Sequence, residues 1–524
     1  MKLYRSFATV GGMTMLSRVL GFVREIMIAF FFGAGSVADV FFVAFRFPNL
    51  FRRIFAEGAF NSAFVPLFTK KLENDNRSKA KQFAEEAMAL LLTALLILLA
   101  VAELSMPWLI HYIAPGFSDN DFKVDLAVTL SQIMFPYLLF VSIAALLSGI
   151  LNALGRFAVA AAAPVVLNVV LVGVLMVAYY SGVVAQVDAV IYLSWGVFIA
   201  GVLQLLMLVY AVQLVGLRLE FRLPRLTPDM RKFIILAIPG ILVGAVTQIN
   251  IVIGQVIVSF QDGAISVLSY ADRIYQLPLG IIGIAIGVVL LPDLSGKLRS
   301  GDMRAVHNSQ NRSLEFSMLL TLPAAVALFV APEPIVRVLF ERGAFNVANT
   351  QATALALSAF AWGLPSFVLI KVFTPAFFAR EDTRTPMMYA IAGMVCNTVL
   401  SFILFGYFGM GFLGIAIATT VAGWVTTGLL WHKLLRMGYF KADNQLLMSI
   451  GPIVVSCVIM GCLIWFGVHI FEHLFASEQA TIVQIISLGV LVLIGFFSYA
   501  ASAHFTGAIH IPTFLKMLTK RRMA

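Results

Sequence analysis

Apolar residues fill most of the chain, in long runs that glycine, proline and charged clusters interrupt. Many runs reach the roughly 20 residues that a helix needs to cross the hydrocarbon core of a bilayer. The pattern predicts fourteen membrane-spanning helices. They lie near residues 8–32, 37–68, 84–112, 126–151, 158–180, 188–215, 232–260, 264–295, 312–338, 350–378, 386–407, 411–435, 446–470 and 481–504.

The loops between these segments carry their cations unevenly. With the N-terminus inside, nearly every loop lysine and arginine falls on the inner side, and only Lys123, Arg337 and Arg342 fall outside. Such a bias marks the cytoplasmic side of a multi-pass protein. We therefore expect both termini in the cytoplasm, which requires an even number of spans.

The first twelve segments divide into two similar halves of six. Asp39 matches Asp272 and Asn168 matches Asn397, in the same order and at a nearly constant offset. Two halves of six helices have the same orientation, as in transporters whose binding site lies between parallel repeats. The predicted fold is all-α, with an N-lobe over residues 1–216 and a C-lobe over 217–440. Two further helices and a cytoplasmic tail occupy residues 441–524.

Composition narrows the class of protein. Of 524 residues, 61% are hydrophobic and 12% charged, which excludes an ordinary soluble domain. The net charge of +10 comes from inner loops and intramembrane cations, so nucleic acid is not expected as a partner. Cys396, Cys457 and Cys462 lie in apolar runs and predict neither disulfides nor a metal site. The N-terminus lacks the pattern of a removable signal peptide.

Charged residues inside the predicted spans are the main functional signal, because a cation at the centre of a bilayer costs about 2.5–3.5 kcal/mol on insertion scales. Arg18, Arg24 and Glu25 lie on the first span, and Asp272 with Arg273 on the eighth. The second span carries Asp39, Arg46, Arg52, Arg53 and Glu57. Lys371 and Glu103 are isolated in later spans, and a structural role and a functional one are equally open for them.

The guanidinium group offers a fixed fork of donors that matches phosphate oxygens. The arginines therefore predict a phosphate-bearing anionic substrate, bound by Arg18, Arg24, Arg52, Arg53 and Arg273. The acidic neighbours Glu25, Asp39, Glu57 and Asp272 would hold the guanidinium groups, and with Arg46 they form the predicted cavity and gating set. Two structural alternatives stay open: Arg52 and Arg53 extend to the bilayer surface, or Arg46 simply pairs with Asp39.

Motifs for other chemistry are missing from the sequence. There is no GxxxxGK[ST] loop, no HExxH and no Cys/His cluster, so neither a cofactor nor a metal is expected. Membrane potential or an ion remains as the energy source. A membrane-embedded glycosyltransferase or polymerase would need a catalytic carboxylate near a sizeable outer loop. The outer cluster of Asp119, Asp121 and Asp125 fits a solvated loop better.

Four segments carry a resemblance: SRVLGFVRE (17–25), ADVFFVAFRFPNLFRRIFAEGAFNSAFVP (38–66), YADRIYQLPLGIIGIAIG (270–287) and LFERGAFN (339–346). They resemble the MurJ (MviN) family of lipid II flippases, within the multidrug/oligosaccharidyl-lipid/polysaccharide exporter superfamily. The resemblance implies two six-helix lobes, a central cationic cavity, and a groove for the polyprenyl tail along helices 13 and 14. It also implies cavity roles for Arg18, Arg24, Asp39, Arg52, Arg53, Glu57, Asp272 and Arg273. The chain departs from the family at Gln276, where an acidic residue is frequent.

The function expected from this resemblance is transport of undecaprenyl-diphosphate-linked disaccharide-pentapeptide from the cytoplasmic to the periplasmic leaflet of the bacterial inner membrane. Membrane lipids and cell-wall synthesis proteins are the expected partners, the latter through a scaffolding role. Two alternatives share the fold. One is a flippase for another polyprenyl-diphosphate glycan, such as an O-antigen unit. The other is a cation-coupled drug exporter, which the excess of arginine disfavours.

Overall fold

The structure is a computed structural model that describes residues 2–53, 63–74, 76–183 and 185–508. Over these residues the chain is helical and contains no strand. The predicted site residue Glu57 lies outside the described residues, as does the basic end of the predicted cytoplasmic tail. The chain forms two compact units, one ending at Ser266 and the other beginning at Val267.

Nine α-helices lie entirely within the first unit, counted over the described residues. They are α1 (Lys2–Phe32), α2 (Ser36–Arg52), α3 (Val65–Asn74), α4 (Arg77–Ile113), α5 (Asp121–Met134), α6 (Tyr137–Ala153), α7 (Phe157–Tyr180), α8 (Gln186–Leu214) and α9 (Pro228–Val258). Local chemistry sets several helix starts, because the Asn76 and Thr227 side chains accept hydrogen bonds from first-turn N–H groups of α4 and α9. Pro136 separates α5 from α6.

The second unit contains the remaining helices, and α10 crosses from one unit into the other. These helices are α10 (Ala264–Arg299), α11 (Met303–Val330), α12 (Pro332–Phe340), α13 (Val347–Phe378), α14 (Arg384–Phe402), α15 (Gly411–Arg436), α16 (Asn444–Ile470) and α17 (Thr481–Phe505). A short π-helical segment, Ile403–Tyr407, extends α14. Asp302, Asn346 and Asp443 cap the N-termini of α11, α13 and α16.

The chain is a multi-pass membrane protein. Ten helical segments of the described residues are long and apolar enough to cross a bilayer, and α5 and α6 together form one of them. Over the described residues, each of the fourteen predicted segments overlaps one or two helices of the structure. The other four predicted segments, on α1, α2, α9 and α10, are not among these ten. The count of fourteen spans therefore stays a prediction.

Packing within each unit positions the charged helices. In the first unit α1 packs against α7, α2 packs against α5, and α8 packs against both α6 and α7. In the second unit α15 packs against α13 and α14, and α11 packs against α13 and α16. The arginines of α1 and α2 consequently lie among the helices of the first unit.

Candidate functional site

Arg24 on α1 is the most buried arginine of the predicted site, with 7% of its surface exposed. Its Nη2 donates to Oε1 of the neighbouring Glu25 at 2.6 Å, and its Nη1 donates to Oδ1 of Asn168 on α7 at 2.9 Å. The guanidinium also lies over the ring of Phe45, 5.7 Å from the ring centroid. Three kinds of contact therefore fix this cation in one orientation.

Asn168 connects Arg24 to the backbone of α1. Its Nδ2 donates to the carbonyl oxygen of Ser17 at 2.9 Å, while its Oδ1 accepts from Arg24. A single amide therefore bridges two turns of α1 and supports the arginine. The sequence comparison of the two halves identified Asn168 only as a repeat match, and its polar position in an apolar span was the available signal.

Arg52 lies near the end of α2 and is partly exposed. Its Nε donates to Oδ1 of Asn49 at 3.2 Å, so a residue one turn earlier orients it. Arg52 and Arg24 both interact electrostatically with the buried Tyr137 of α6. The structure thus brings these two predicted residues to the same part of the first unit.

The remaining arginines of the first unit differ in exposure. Arg18 and Arg46 are partly buried, and Arg53 is exposed. Arg18 makes no ion pair or side-chain hydrogen bond with another residue in the described ranges. Its guanidinium donors are thus not committed to the part of the chain that the structure describes.

Asp39 on α2 is fully buried and has partners that the sequence did not predict. Its Oδ2 accepts from the backbone N–H of Gly263 at 2.7 Å, and its Oδ1 accepts from the backbone N–H of Ser266 at 2.8 Å. The Ser266 hydroxyl also donates to Oδ1, at 2.7 Å. Gly263 directly precedes α10 and Ser266 lies in its first turn, where N–H groups have no acceptors within the helix. Asp39 therefore caps α10 rather than holding a guanidinium group, because the free N–H groups of a helix start attract a carboxylate.

The turn at residues 259–263, between α9 and α10, packs closely on the rest of the first unit. The Gly116 N–H donates to the Ser259 hydroxyl at 3.0 Å, and a Cβ at Gly116 would lie 2.3 Å from the Ser259 carbonyl carbon. Gly263 has a φ of +74°, and a Cβ there would lie 2.7 Å from the carbonyl oxygen of Ala34. Gly116 is required because a side chain would collide with the turn. Gly263 is required because of a similar close contact and because its positive φ favours glycine.

An ion pair closes the same turn. Lys123 Nζ donates to Oδ1 of Asp262 at 2.7 Å, and Ser36 Oγ donates to the same oxygen at 3.0 Å. Burial by itself would raise the pKa of Asp262, but the hydrogen bonds from Lys123 and Ser36 outweigh burial and lower it. Asp262 is therefore ionised at neutral pH and its bond to Lys123 is charge-assisted.

Asp272 and Arg273 lie on α10 in the second unit, and both are partly buried. The Gln276 side-chain amide donates to Oδ2 of Asp272 one turn earlier. An acidic residue at position 276 would repel Asp272 at neutral pH, whereas an amide can donate to it. The departure at Gln276 thus supplies a hydrogen-bond donor to the predicted carboxylate.

Two isolated charges of the predicted spans have distinct surroundings. The aliphatic part of Lys371 on α13 lies against Gly283 on α10, and a Cβ at that glycine would be 2.5 Å from Lys371 Cδ. Glu103 on α4 is partly buried, and its Oε1 has no hydrogen-bond partner among the described residues. Neither residue lies in a group of three or more potential metal ligands, and the described ranges hold no such group.

Comparison with known proteins places this arrangement in a family. A sequence model described as "Lipid II flippase MurJ" matches residues 28–486. A protein of Rhizobium tropici named probable lipid II flippase MurJ is 46% identical, and the match covers 100% of this chain and 98% of the relative. A protein of Rhizobium meliloti (strain 1021) with the same name is 47% identical over 98% of this chain and 94% of the relative.

Solved structures agree. A structure described as lipid II flippase MurJ in an inward closed conformation aligns with a TM-score of 0.77 at 25% identity, covering 95% of this chain and 98% of the other. An inward-facing MATE family transporter aligns with a TM-score of 0.67 at 14% identity, covering 82% of this chain and 98% of the other, which indicates a shared fold. The extent of the family match and the identity to full-length relatives show that this chain belongs to the MurJ family of lipid II flippases.

Proposed function

We propose that this chain is a transporter, not an enzyme, and that it moves lipid II from the cytoplasmic to the periplasmic leaflet of the bacterial inner membrane. Its family membership and the names of its relatives support the substrate. The observation that carries the proposal is a group of five arginines on α1, on α2 and directly after α2, namely Arg18, Arg24, Arg46, Arg52 and Arg53. Among the described residues of these two helices only Glu25 and Asp39 are acidic. The Asp39 carboxylate already accepts hydrogen bonds from the N–H groups at the start of α10.

The arginines bind the diphosphate of the substrate. Arg24 is held by Glu25, Asn168 and Phe45, so little conformational entropy is lost when it meets an anion. Arg18 and Arg52 supply further donors, and a planar guanidinium contacts two phosphate oxygens at once. Arg53 and Arg273 complete the proposed binding set, with Arg46, Glu57 and Asp272 as cavity or gating residues.

The architecture we propose is fourteen spans in two parallel six-helix repeats, with both termini in the cytoplasm. Equivalent helix pairs support the repeat: α6 packs against α8 as α13 packs against α15, and α7 packs against α8 as α14 packs against α15. Two such lobes alternate access by rocking around a fixed site. The diphosphate neutralises the arginines and thereby permits closure on the cytoplasmic side.

The polyprenyl tail stays in hydrocarbon along α16 and α17. Neither helix contains Asp, Glu, Lys or Arg, and their outward faces are apolar, with Phe496 and Phe497 among the exposed side chains. The two helices pack against each other. An uncharged helical pair suits a lipid chain, because a charge at that depth would be costly.

The energy source we propose is the membrane potential, with no cofactor. A net positive binding site gains about 2.3 kcal/mol per charge moved through 100 mV, which can return the empty carrier. Collapsing the potential across proteoliposomes should slow repeated turnover. An unchanged rate would remove this coupling and leave an ion gradient as the candidate.

Reconstitution tests the function directly. Liposomes containing lipid II and the purified protein should show leaflet exchange that Arg24→Ala and Arg273→Ala abolish. Arg299→Ala is the matched control, since Arg299 is exposed at the end of α10. Unchanged exchange in both site variants would dismiss the diphosphate assignment. Exchange of a different polyprenyl-diphosphate glycan in preference to lipid II would support the alternative substrate, and interaction with cell-wall synthesis proteins can be tested by co-purification.

A further inference from the structure

The segment that joins α8 to α9, residues 215–227, is here called the strap. It has no regular secondary structure and begins with a tight turn at Gly216, whose φ is +76°. The strap follows one predicted membrane helix and leads directly into another. Its position is therefore set by the ends of α8 and α9.

A buried carboxylate on α4 holds the middle of the strap. Glu85 is 0% exposed, and its Oε1 accepts from the backbone N–H of Glu220 at 3.0 Å. Its Oε2 accepts from Nε of Arg222 at 2.5 Å. A buried carboxylate with a charged partner and a backbone donor is a strong anchor, because leaving any of these groups unpaired is unfavourable.

Further contacts fix both ends of the strap. The Thr227 hydroxyl donates to Oε2 of Glu86 at 2.8 Å, and Arg77 donates to the carbonyl oxygen of Val215. Just beyond the strap, Lys71 Nζ pairs with Oδ2 of Asp229 at 2.6 Å. The strap is thus fastened along its length to one end of α4.

The outward side of the strap is apolar. Phe221, Leu223 and Leu226 are 84%, 79% and 75% exposed. Arg222, which lies between Phe221 and Leu223 in the sequence, donates to Glu85 on α4 and so holds this part of the strap in place. Large apolar side chains that are fixed outward in a group favour burial in another phase.

The charged residues of the strap indicate which environment covers these apolar side chains. Glu220 pairs with Lys81 at 2.8 Å and Arg222 pairs with Glu85, whereas Arg218 and Arg225 are exposed cations of the strap. Neither forms an ion pair within the described part of the chain. Apolar side chains that alternate with cations, at the end of a membrane helix, are typical of a segment lying in a bilayer interface with anionic lipids.

We propose that the strap is an interfacial anchor for anionic phospholipid. Phe221, Leu223 and Leu226 enter the region between head groups and acyl chains, and Arg218 and Arg225 bind head-group phosphates. Glu85 and Glu86 hold the strap in the orientation that presents these side chains. The proposal concerns the surrounding leaflet, so it stands or falls independently of the transported substrate.

A fluorescent probe tests the proposal in the full-length protein. The three cysteines are replaced by alanine, and an environment-sensitive fluorophore is attached at Phe221→Cys, or at Ser300→Cys in the exposed turn between α10 and α11 as the control. Nanodiscs are made of phosphatidylcholine alone or with phosphatidylglycerol. Quenching is measured with nitroxide-labelled lipid and with aqueous acrylamide.

We expect lipid to quench the probe at position 221 and acrylamide to quench the probe at position 300. Phosphatidylglycerol should strengthen quenching by lipid at position 221, and Arg218→Gln with Arg225→Gln should remove that increase. Retention of phosphatidylglycerol, measured by native mass spectrometry, should fall by roughly five-fold for each arginine, which corresponds to about 1 kcal/mol per residue. Arg299→Gln should leave retention unchanged. Equal access of acrylamide to both positions would overturn the proposal, and so would no effect of phosphatidylglycerol at position 221.

Discussion

Ser266, in the first turn of α10, donates both its backbone N–H and its hydroxyl to the buried carboxylate of Asp39 on α2. Gly263 donates a further N–H to the same carboxylate. The contact acts as a helix cap supplied by another helix, since α10 begins without a capping side chain of its own at Gly263. The equivalent position in the second half, Asp272, accepts from Gln276 instead. Matched positions of the two halves therefore have different tasks.

Replacing Asp39 should destabilise the protein. Asp39→Asn substitutes an NH₂ group for one acceptor and sets donor against donor, so we expect a loss of about 1.5–3 kcal/mol in the free energy of unfolding. Ser266→Ala should cost about 1 kcal/mol, because both backbone donors remain. Thermal unfolding in detergent micelles measures both. Asp121→Asn is the matched control, as Asp121 is exposed at the start of α5. A similar melting temperature for Asp39→Asn and Asp121→Asn would contradict the cap.

Removing the amide that supports Arg24 should weaken substrate binding. Asn168→Ala leaves the charge of Arg24 in place but deletes the acceptor of its Nη1. A hydrogen bond to a charged group contributes about 1.5–3 kcal/mol, so affinity for lipid II should fall roughly 10- to 150-fold.

The control is Asn397→Ala, the repeat equivalent of Asn168. Among the described residues, Asn397 accepts long contacts from two hydroxyls, at 3.3 Å from Ser401 and 3.5 Å from Thr419. Its replacement should leave affinity within about two-fold of wild type, since long neutral contacts contribute little. Lipid II binding and melting temperature are measured together. Equal loss of affinity in both variants would show that Asn168 has no special role in holding Arg24.

Two glycines on α10 should respond to alanine with opposite signs. A Cβ at Gly283 would lie 2.5 Å from Cδ and 3.0 Å from Cε of Lys371. Gly283→Ala must therefore displace Lys371, and we expect a loss of about 1 kcal/mol in stability, at the lower end for overpacking because the side chain is flexible. At Gly296 a Cβ meets nothing within 4 Å. Gly296→Ala should stabilise the protein by about 0.5–1 kcal/mol, since alanine favours helix.

A double-mutant cycle isolates the contact. Lys371→Ala opens the space that the new methyl group needs, so Gly283→Ala should be neutral or stabilising in that background. The cycle is measured by the melting temperatures of wild type, Gly283→Ala, Lys371→Ala and the double variant. If Gly283→Ala destabilised both backgrounds equally, Lys371 would not be the residue that occupies the space.

The bond between Lys123 and Asp262 should be insensitive to pH across the neutral range. The pKa of Asp262 is lowered in the folded protein, so its contribution to stability is present above the ordinary aspartate pKa of about 3.9 and is lost as pH falls through the lowered value. Wild type and Lys123→Ala should differ in melting temperature by a constant amount at neutral pH and converge below about pH 4.

Asp262→Asn provides the complementary variant. This substitution removes the carboxylate that titrates. The acid-induced fall in melting temperature that comes from loss of the Lys123–Asp262 bond should therefore be absent in Asp262→Asn, as it should be in Lys123→Ala. If wild type and Lys123→Ala converged instead between pH 6 and 8, a histidine or another group would control this turn.

Helix positions were predicted well because long apolar runs leave the chain few other folds in a bilayer. Over the described residues each predicted segment overlaps helix, and Pro136 interrupts the fourth segment as its chemistry requires. The pairing of Arg24 with Glu25 was also predictable, since the two residues are adjacent in sequence. The family was correctly identified from four segments, and the comparisons confirm it.

Contacts between distant helices were not predicted. The sequence indicated that Asp39 would hold a guanidinium, yet its partners lie more than 220 residues away, where the N–H groups of a helix start compete for the carboxylate. The sequence did not predict the support of Arg24 by Asn168 or the anchoring of the strap by Glu85, because each contact joins residues more than 130 positions apart.

The sequence by itself determined that the chain is helical, multi-pass and rich in arginine within two of its spans, because these properties follow from local hydropathy and the position of charge along the chain. Only the tertiary structure decided which carboxylates and amides face those arginines. Residues one turn apart are neighbours in any helix. The partner of a buried side chain depends instead on which helices pack together and on how they are aligned along their axes.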